Sequence, residues 1–220
     1  MNYIELKEYL KKIGDQKFAS FSKTLSNSDY LVLGVKNPIL RSIIKEHKND
    51  AELNPNDFEI GKYLEIDFIY FGLSLIRLTN TKTQLQFLKD EIRLAKSWAI
   101  TDCVSTYLKK VSFEDFFEFY KATYKSKYTY ERRMAYILAL KQYRDDRVLK
   151  ILPLITLNEE YMVMMAEAWF LSVLALSFED EVFSYLKNLD DLTLKRKIIS
   201  KISDSYRFDI SSKDRFKSLR

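Results

Sequence analysis

Four glycines and three prolines in 220 residues are too few for an all-β chain, which draws on those residues at its tight turns. The single cysteine, Cys103, excludes an internal disulfide, and with the single histidine, His47, it leaves no Cys/His zinc set. One histidine with no suitable neighbours also leaves no Ser-His-Asp or Cys-His arrangement. His47 therefore reads as a surface residue and Cys103 as a small packing residue. Gly14, Gly34, Gly61 and Gly72 are isolated, so there is no glycine-rich phosphate loop. No run approaches the roughly 18 to 20 apolar residues that cross a bilayer. The start, Met1-Asn2-Tyr3-Ile4-Glu5-Leu6-Lys7, reads as an amphipathic helix and not as a signal peptide. The expectation is a cytoplasmic protein with no membrane partner.

What is present is helix-forming. Hydrophobic residues make up 47% and charged residues 30%, enough for one sizeable core under a solvated surface. The net charge of +5 is modest, but it is unevenly placed. Residues 121–147 carry eight Lys/Arg against three Asp/Glu, and residues 195–220 carry nine against three. Residues 156–192 between them carry eight acids against Lys187 alone. Basic clusters separated by an acidic one suit either a polyanion-binding face or ordinary surface charge.

The apolar pattern predicts short helices over 3–12 and 15–25, broken at Gly14, and a helix from Pro38 to about Lys48 with Asn37 as its N-cap. A long helical stretch follows over 57–78, with an interruption near Gly61. Helix pairs come next: 81–95 with 97–109, 112–125 with 129–143, 145–154 with 158–176, and 178–187 with 192–203, before a short helix in the basic tail. Ser97, Ser112 and Asn158 stand where caps belong, with Asp115 in the capping-box position and Glu159 and Glu160 in a first turn. Glu65 and Asp67 read as polar-face or helix-terminus residues. The second helices begin about 29 to 34 residues apart, near the range of helical repeats. With no linker in the chain, residues 1–220 read as a single domain. The fold class is all-α: a HEAT-like superhelical solenoid of antiparallel helix pairs, with a concave basic groove lined by the second helices; a helical bundle is the alternative.

That geometry would set several chemically distinct residues toward one groove. Trp98-Ala99-Ile100-Thr101-Asp102 places an indole and a carboxylate one turn apart on the same helix face. Such a carboxylate can stabilise a developing cation or orient water at an oxocarbenium-like sugar carbon, or it can simply cap or pair. Arg133, flanked by Arg132, lies on an apolar stripe with Tyr130, Met134, Ile137 and Leu138, so it must meet a carboxylate or a phosphate. Trp169, with the small Ala166 one turn back, either packs in the core or projects as a stacking surface. Lys195, Arg196 and Lys197 add positive charge on the last pair.

The chain resembles the AlkD family of bacterial DNA-alkylation-repair proteins, over nearly its whole length. Gly34-Val35-Lys36-Asn37-Pro38-Ile39-Leu40-Arg41 is similar to that family's GV-x-x-P-x-x-R segment, and Lys96-Ser97-Trp98 with Asp102 to its central W-x-x-x-D motif. Glu131-Arg132-Arg133-Met134-Ala135 resembles its arginine helix, and Ala168-Trp169-Phe170-Leu171 its later tryptophan helix. The resemblance implies excision of N3- and N7-alkylated purines from double-stranded DNA without base flipping, by a monomer needing neither metal nor cofactor. It gives Asp102 the sugar cation and a water, Trp98 and Trp169 the deoxyribose and lesion, and Arg133 a phosphate. The stretch Asp15–Leu25 departs from the helix that enters the minor groove in active members. It is more similar to a second AlkD-like subfamily with weak or absent activity, and this chain carries one tryptophan in the central motif where active members often carry two. A non-catalytic DNA-binding paralogue and a helical protein-interaction scaffold are the alternative readings.

Overall fold

The computed structural model describes residues 1–26, 28–155 and 160–220. The described residues are all-α, with the helical-repeat character read from the sequence, and they form two compact units, Met1–Val111 and Ser112–Arg220. No described helix is long and apolar enough to cross a membrane.

The first unit holds α1 (Tyr3–Ile13), α2 (Gln16–Ser26), α3 (Asn37–Glu46), α4 (Leu64–Arg77), α5 (Thr81–Glu91) and α6 (Trp98–Val104). Asn2 and Glu5 form a reciprocal capping box on α1. The hub is α4, which packs on both α3 and α6. Ile66, Phe68, Ile69, Phe71, Leu73 and Leu75 are all buried along it, so this helix is apolar on nearly every side.

Several expected boundaries shift for identifiable reasons. Asn37 is the first helical residue of α3 and not its cap; Lys36 holds the cap position and supplies no side-chain bond. The stretch 57–63 is not the start of α4. Gly61 sits at φ +85° with its N–H donated to the Asp67 carboxylate at 2.9 Å. Tyr63 is extended and forms an isolated parallel bridge with Leu31. Side-chain and long-range backbone partners thus capture the backbone groups a helix would need. Ser97 caps α6 as expected, by accepting the Ala99 N–H, but α6 has only seven residues before a 3-10 turn at Ser105–Tyr107.

The second unit holds α7 (Phe113–Thr123), α8 (Thr129–Ala139), α9 (Tyr161–Leu174), α10 (Glu179–Lys187), α11 (Leu192–Asp204) and α12 (Ile210–Lys217). Ser112 caps α7 by accepting the Asp115 N–H at 3.1 Å, and Asp115 in turn accepts the Ser112 hydroxyl. The expected helix over 145–154 is a 3-10 helix, Asp146–Leu154, containing Pro153. Proline lacks the N–H an α-helix would send one turn back, and its ring crowds the carbonyl there. The expected cap Asn158 and its neighbour Glu159 lie outside the described residues.

Within this unit the second helices of successive pairs lie side by side. α8 packs on α9 and α9 on α11, with α7 behind α8 and α12 against α11. An aromatic ladder ties the first three layers: Tyr120 of α7 meets Tyr136 of α8 edge-on at 5.9 Å, and Tyr136 meets Phe170 of α9 at 6.4 Å. Neighbour-to-neighbour contact is how stacked repeats bury apolar faces that no pair could bury alone.

Candidate nucleic-acid site

In the first unit, α6 carries both Trp98 and Asp102 on one face, as the spacing predicted. Neither is fully exposed. The Trp98 indole N–H donates to the Leu25 carbonyl near the end of α2 at 3.1 Å, so α2 is docked onto this ring. Asp102 lies half-buried, its carboxylate 3.1 Å from the Thr101 hydroxyl. Cys103 packs between α6 and α3, 3.8 Å from the Asn37 amide, and burial pushes its thiol pKa up. That is the behaviour of a packing residue and not of a thiolate nucleophile. His47 is half-buried and pairs with Asp50 at 2.8 Å.

The segment before α3 is fixed by an acid whose role the sequence did not announce. Glu65 is buried in the first turn of α4 and accepts the backbone N–H groups of Leu33 (3.0 Å), Gly34 (2.8 Å) and Val35 (3.3 Å). Gly34 has φ +86°, and a side-chain carbon there would lie 2.1 Å from the Asp15 carbonyl oxygen. The Gly34-Val35 pair thus has two physical reasons for its composition: a left-handed backbone and a close approach to the start of α2. Asp67 is also buried. It accepts the Tyr30 hydroxyl at 2.5 Å and the Gly61 N–H, and burial raises its pKa to about 6. Both acids occupy the helix terminus, as expected, but neither faces solvent. Their partners are mostly backbone amides, which leave no signature in sequence.

In the second unit, Arg133 is 5% exposed. Its guanidinium donates to the Met162 carbonyl at 2.5 Å, joining α8 to the first turn of α9. Arg132 is similarly engaged, paired with Glu160 at 2.6 Å and donating to the Ser126 carbonyl at 2.8 Å. Trp169 is 40% exposed, so it projects where burial was the competing expectation. It borders a recess shared with Ser172, Lys201, Asp204, Arg207 and Phe208. Lys195, Arg196 and Lys197 are consecutive on α11, so helix geometry turns them about 100° apart. Lys197 lies over the Tyr161 ring at 5.6 Å, and Arg196 projects to solvent. Lys201, one turn after Lys197, stands beside Trp169. An aromatic and basic strip therefore runs between α9 and α11, from Tyr161 and Lys197 to Trp169 and Lys201.

Two residues at the end of that strip escaped the sequence reading. The Arg207 guanidinium lies 5.7 Å from the Tyr143 ring centroid, and Arg144 lies 5.2 Å from it. Their only signal was membership of two basic clusters. The i, i+4 relation of Lys197 and Lys201 was available and would have found Lys201. Among the described residues no three His, Cys, Asp or Glu side chains converge to hold a metal ion.

Comparison with known proteins adds one finding. A family model described as DNA alkylation repair enzyme matches residues 6–203, nine-tenths of the chain and both units. Neither the curated proteins nor the solved structures yield a match.

Proposed function

The chain belongs to the DNA alkylation repair enzyme family, and from that premise we propose that it binds double-stranded DNA as an alkylpurine glycosylase of low turnover. The assignment of DNA repair follows from the family; base excision and its weakness are the proposal. A cationic N3- or N7-alkylated purine is already a good leaving group, so the step needs no general acid. It needs a carboxylate to stabilise the oxocarbenium-like sugar and to orient water. Asp102 is the candidate: it is half-buried, one helical turn from Trp98, and its hydroxyl neighbour Thr101 helps to hold it. Trp98 would meet the deoxyribose, and Trp169 is the ring that the second unit offers to the duplex. Arg132 and Arg133 would act from beneath the phosphate-facing surface, with Lys195, Arg196 and Lys197 contributing positive charge.

The observation that carries low turnover is the bond between the Trp98 indole and the Leu25 carbonyl. α2 rests on the ring that the sugar would need, so substrate binding has to displace or reposition it. The test is release of N7-methylguanine from alkylated duplex at enzyme excess, beside Asp102→Asn. Slow release that the variant abolishes supports the reading. Release equal to the no-enzyme background removes catalysis from it.

A second reading, a non-catalytic DNA-binding paralogue, is favoured by the strip of Tyr161, Lys197, Trp169 and Lys201. It joins ring faces to cations and needs no reacting carboxylate. It retains salt-sensitive DNA binding when base release is absent.

A further inference from the structure

Beneath α2 lies a cavity of about 170 Å³ of which the proposed chemistry uses only the Trp98 wall. Its walls are Phe18, Phe21 and Leu25 of α2, Val35, Phe68 of α4, and the Trp98 ring. α2 buries only Ala19 and Ser26, and Phe21 and Leu25 remain 60% and 52% exposed at the cavity mouth. A helix seated on its own core would bury these side chains. Here they line a partly enclosed space instead.

The chemistry of the walls restricts what can enter. Glu65 reaches the cavity, but both of its carboxylate oxygens are engaged by backbone N–H groups, so it offers no site for a cation. The polar groups at the wall are few and small, among them the Asn37 amide and the Ser22 hydroxyl. An enclosed apolar cavity of roughly 150 Å³ accepts a benzene-sized ring, and this more open space has comparable room. Aromatic walls at several sides favour a flat partner over a branched aliphatic one.

We propose that this cavity is a binding site for a small neutral aromatic heterocycle of one or two rings, held between α2 and Trp98. A free heterocycle and an exposed nucleobase share that chemistry. The site requires neither DNA binding nor base excision. Occupancy closes the space under α2 and reinforces its contact with Trp98.

The experiment uses the full chain carrying Trp169→Phe, which leaves Trp98 as the source of the indole N–H signal in a nitrogen-15 spectrum. Unlabelled indole, adenine and benzoate are titrated in turn. Indole or adenine is expected to shift the Trp98 signal saturably and to slow amide exchange in α2, with benzoate at least tenfold weaker. Adenine alone binding points to a nucleobase as the natural occupant, and indole alone to a free apolar heterocycle. Ala99→Leu, which adds bulk at the wall, should weaken binding at least tenfold, and Phe21→Ser at the exposed mouth should weaken it several-fold without disturbing the core. Absence of any saturable shift at millimolar probe overturns the proposal, as does undiminished binding in both variants.

Discussion

Asp67 illustrates how a single side chain sets a pH response. Its folded pKa of about 6 lies above the ordinary aspartate value of 3.8, because burial disfavours the carboxylate more than the hydrogen bonds from Tyr30 and Gly61 favour it. The folded state therefore binds this proton more tightly than the unfolded one. Its contribution is fully present below pH 4 and is lost as pH rises through 6, a swing of about 3 kcal/mol. Asp67→Asn should flatten the pH dependence of unfolding between pH 4 and 6, as read by urea midpoints across that range. Glu65 acts through its hydrogen bonds: Glu65→Ala orphans three backbone N–H groups and should cost about 3 kcal/mol or more in chemical denaturation. Little of this was legible beforehand. The Trp98–Asp102 spacing was, because helix periodicity converts sequence separation into shared direction. The burial of Glu65 and Asp67 was not, because acids in a first turn look alike whether they meet solvent or a folded-back loop.

At the scale of elements, most helix spans followed from the apolar period, and the caps of α6 and α7 from Ser97 and Ser112. The misses have two causes: side-chain and long-range backbone partners override local helix propensity at 57–63, and Pro153 imposes a tighter winding on 146–154. Arg133 belongs to this scale as well, since it joins α8 to α9. Arg133→Ala should lower stability by about 2 to 3 kcal/mol in chemical denaturation, with loss of DNA binding only in proportion to unfolding. Lost affinity in a fully folded variant would instead place its guanidinium on a phosphate. Ser97→Ala removes the cap on the short α6 and should cost about 1 kcal/mol. It should also blur the placement of Trp98, visible as broadening of that indole N–H.

At the scale of the whole molecule, the net charge of +5 understates what a polyanion meets, because the positive excess is concentrated in residues 121–147 and 195–220 while the acids gather in 156–192. DNA affinity should fall steeply with salt, and Arg196→Ala should reduce the slope of log affinity against log salt by about 1 if that residue meets a phosphate. An unchanged slope moves Arg196 out of the interface. The all-α class and the family were readable from composition, repeat spacing and four motifs. The covered state of Trp98 was not readable, since the docking of α2 depends on a main-chain carbonyl that any residue at position 25 would supply.

The hydrogen bonds that close the first unit reach far along the chain: Tyr30 meets Asp67 across 37 residues and the Lys96 N–H across 66. The layers of the second unit join helices one pair apart in sequence, α8 to α9 and α9 to α11, which is a shorter reach. Closing long loops is entropically slow, and local contacts form early. Refolding should accordingly show two rates, with the 112–220 half collapsing first and the Tyr30 hydroxyl finding its partners last. Tyr30→Phe should then accelerate unfolding while leaving the rate of the early phase untouched.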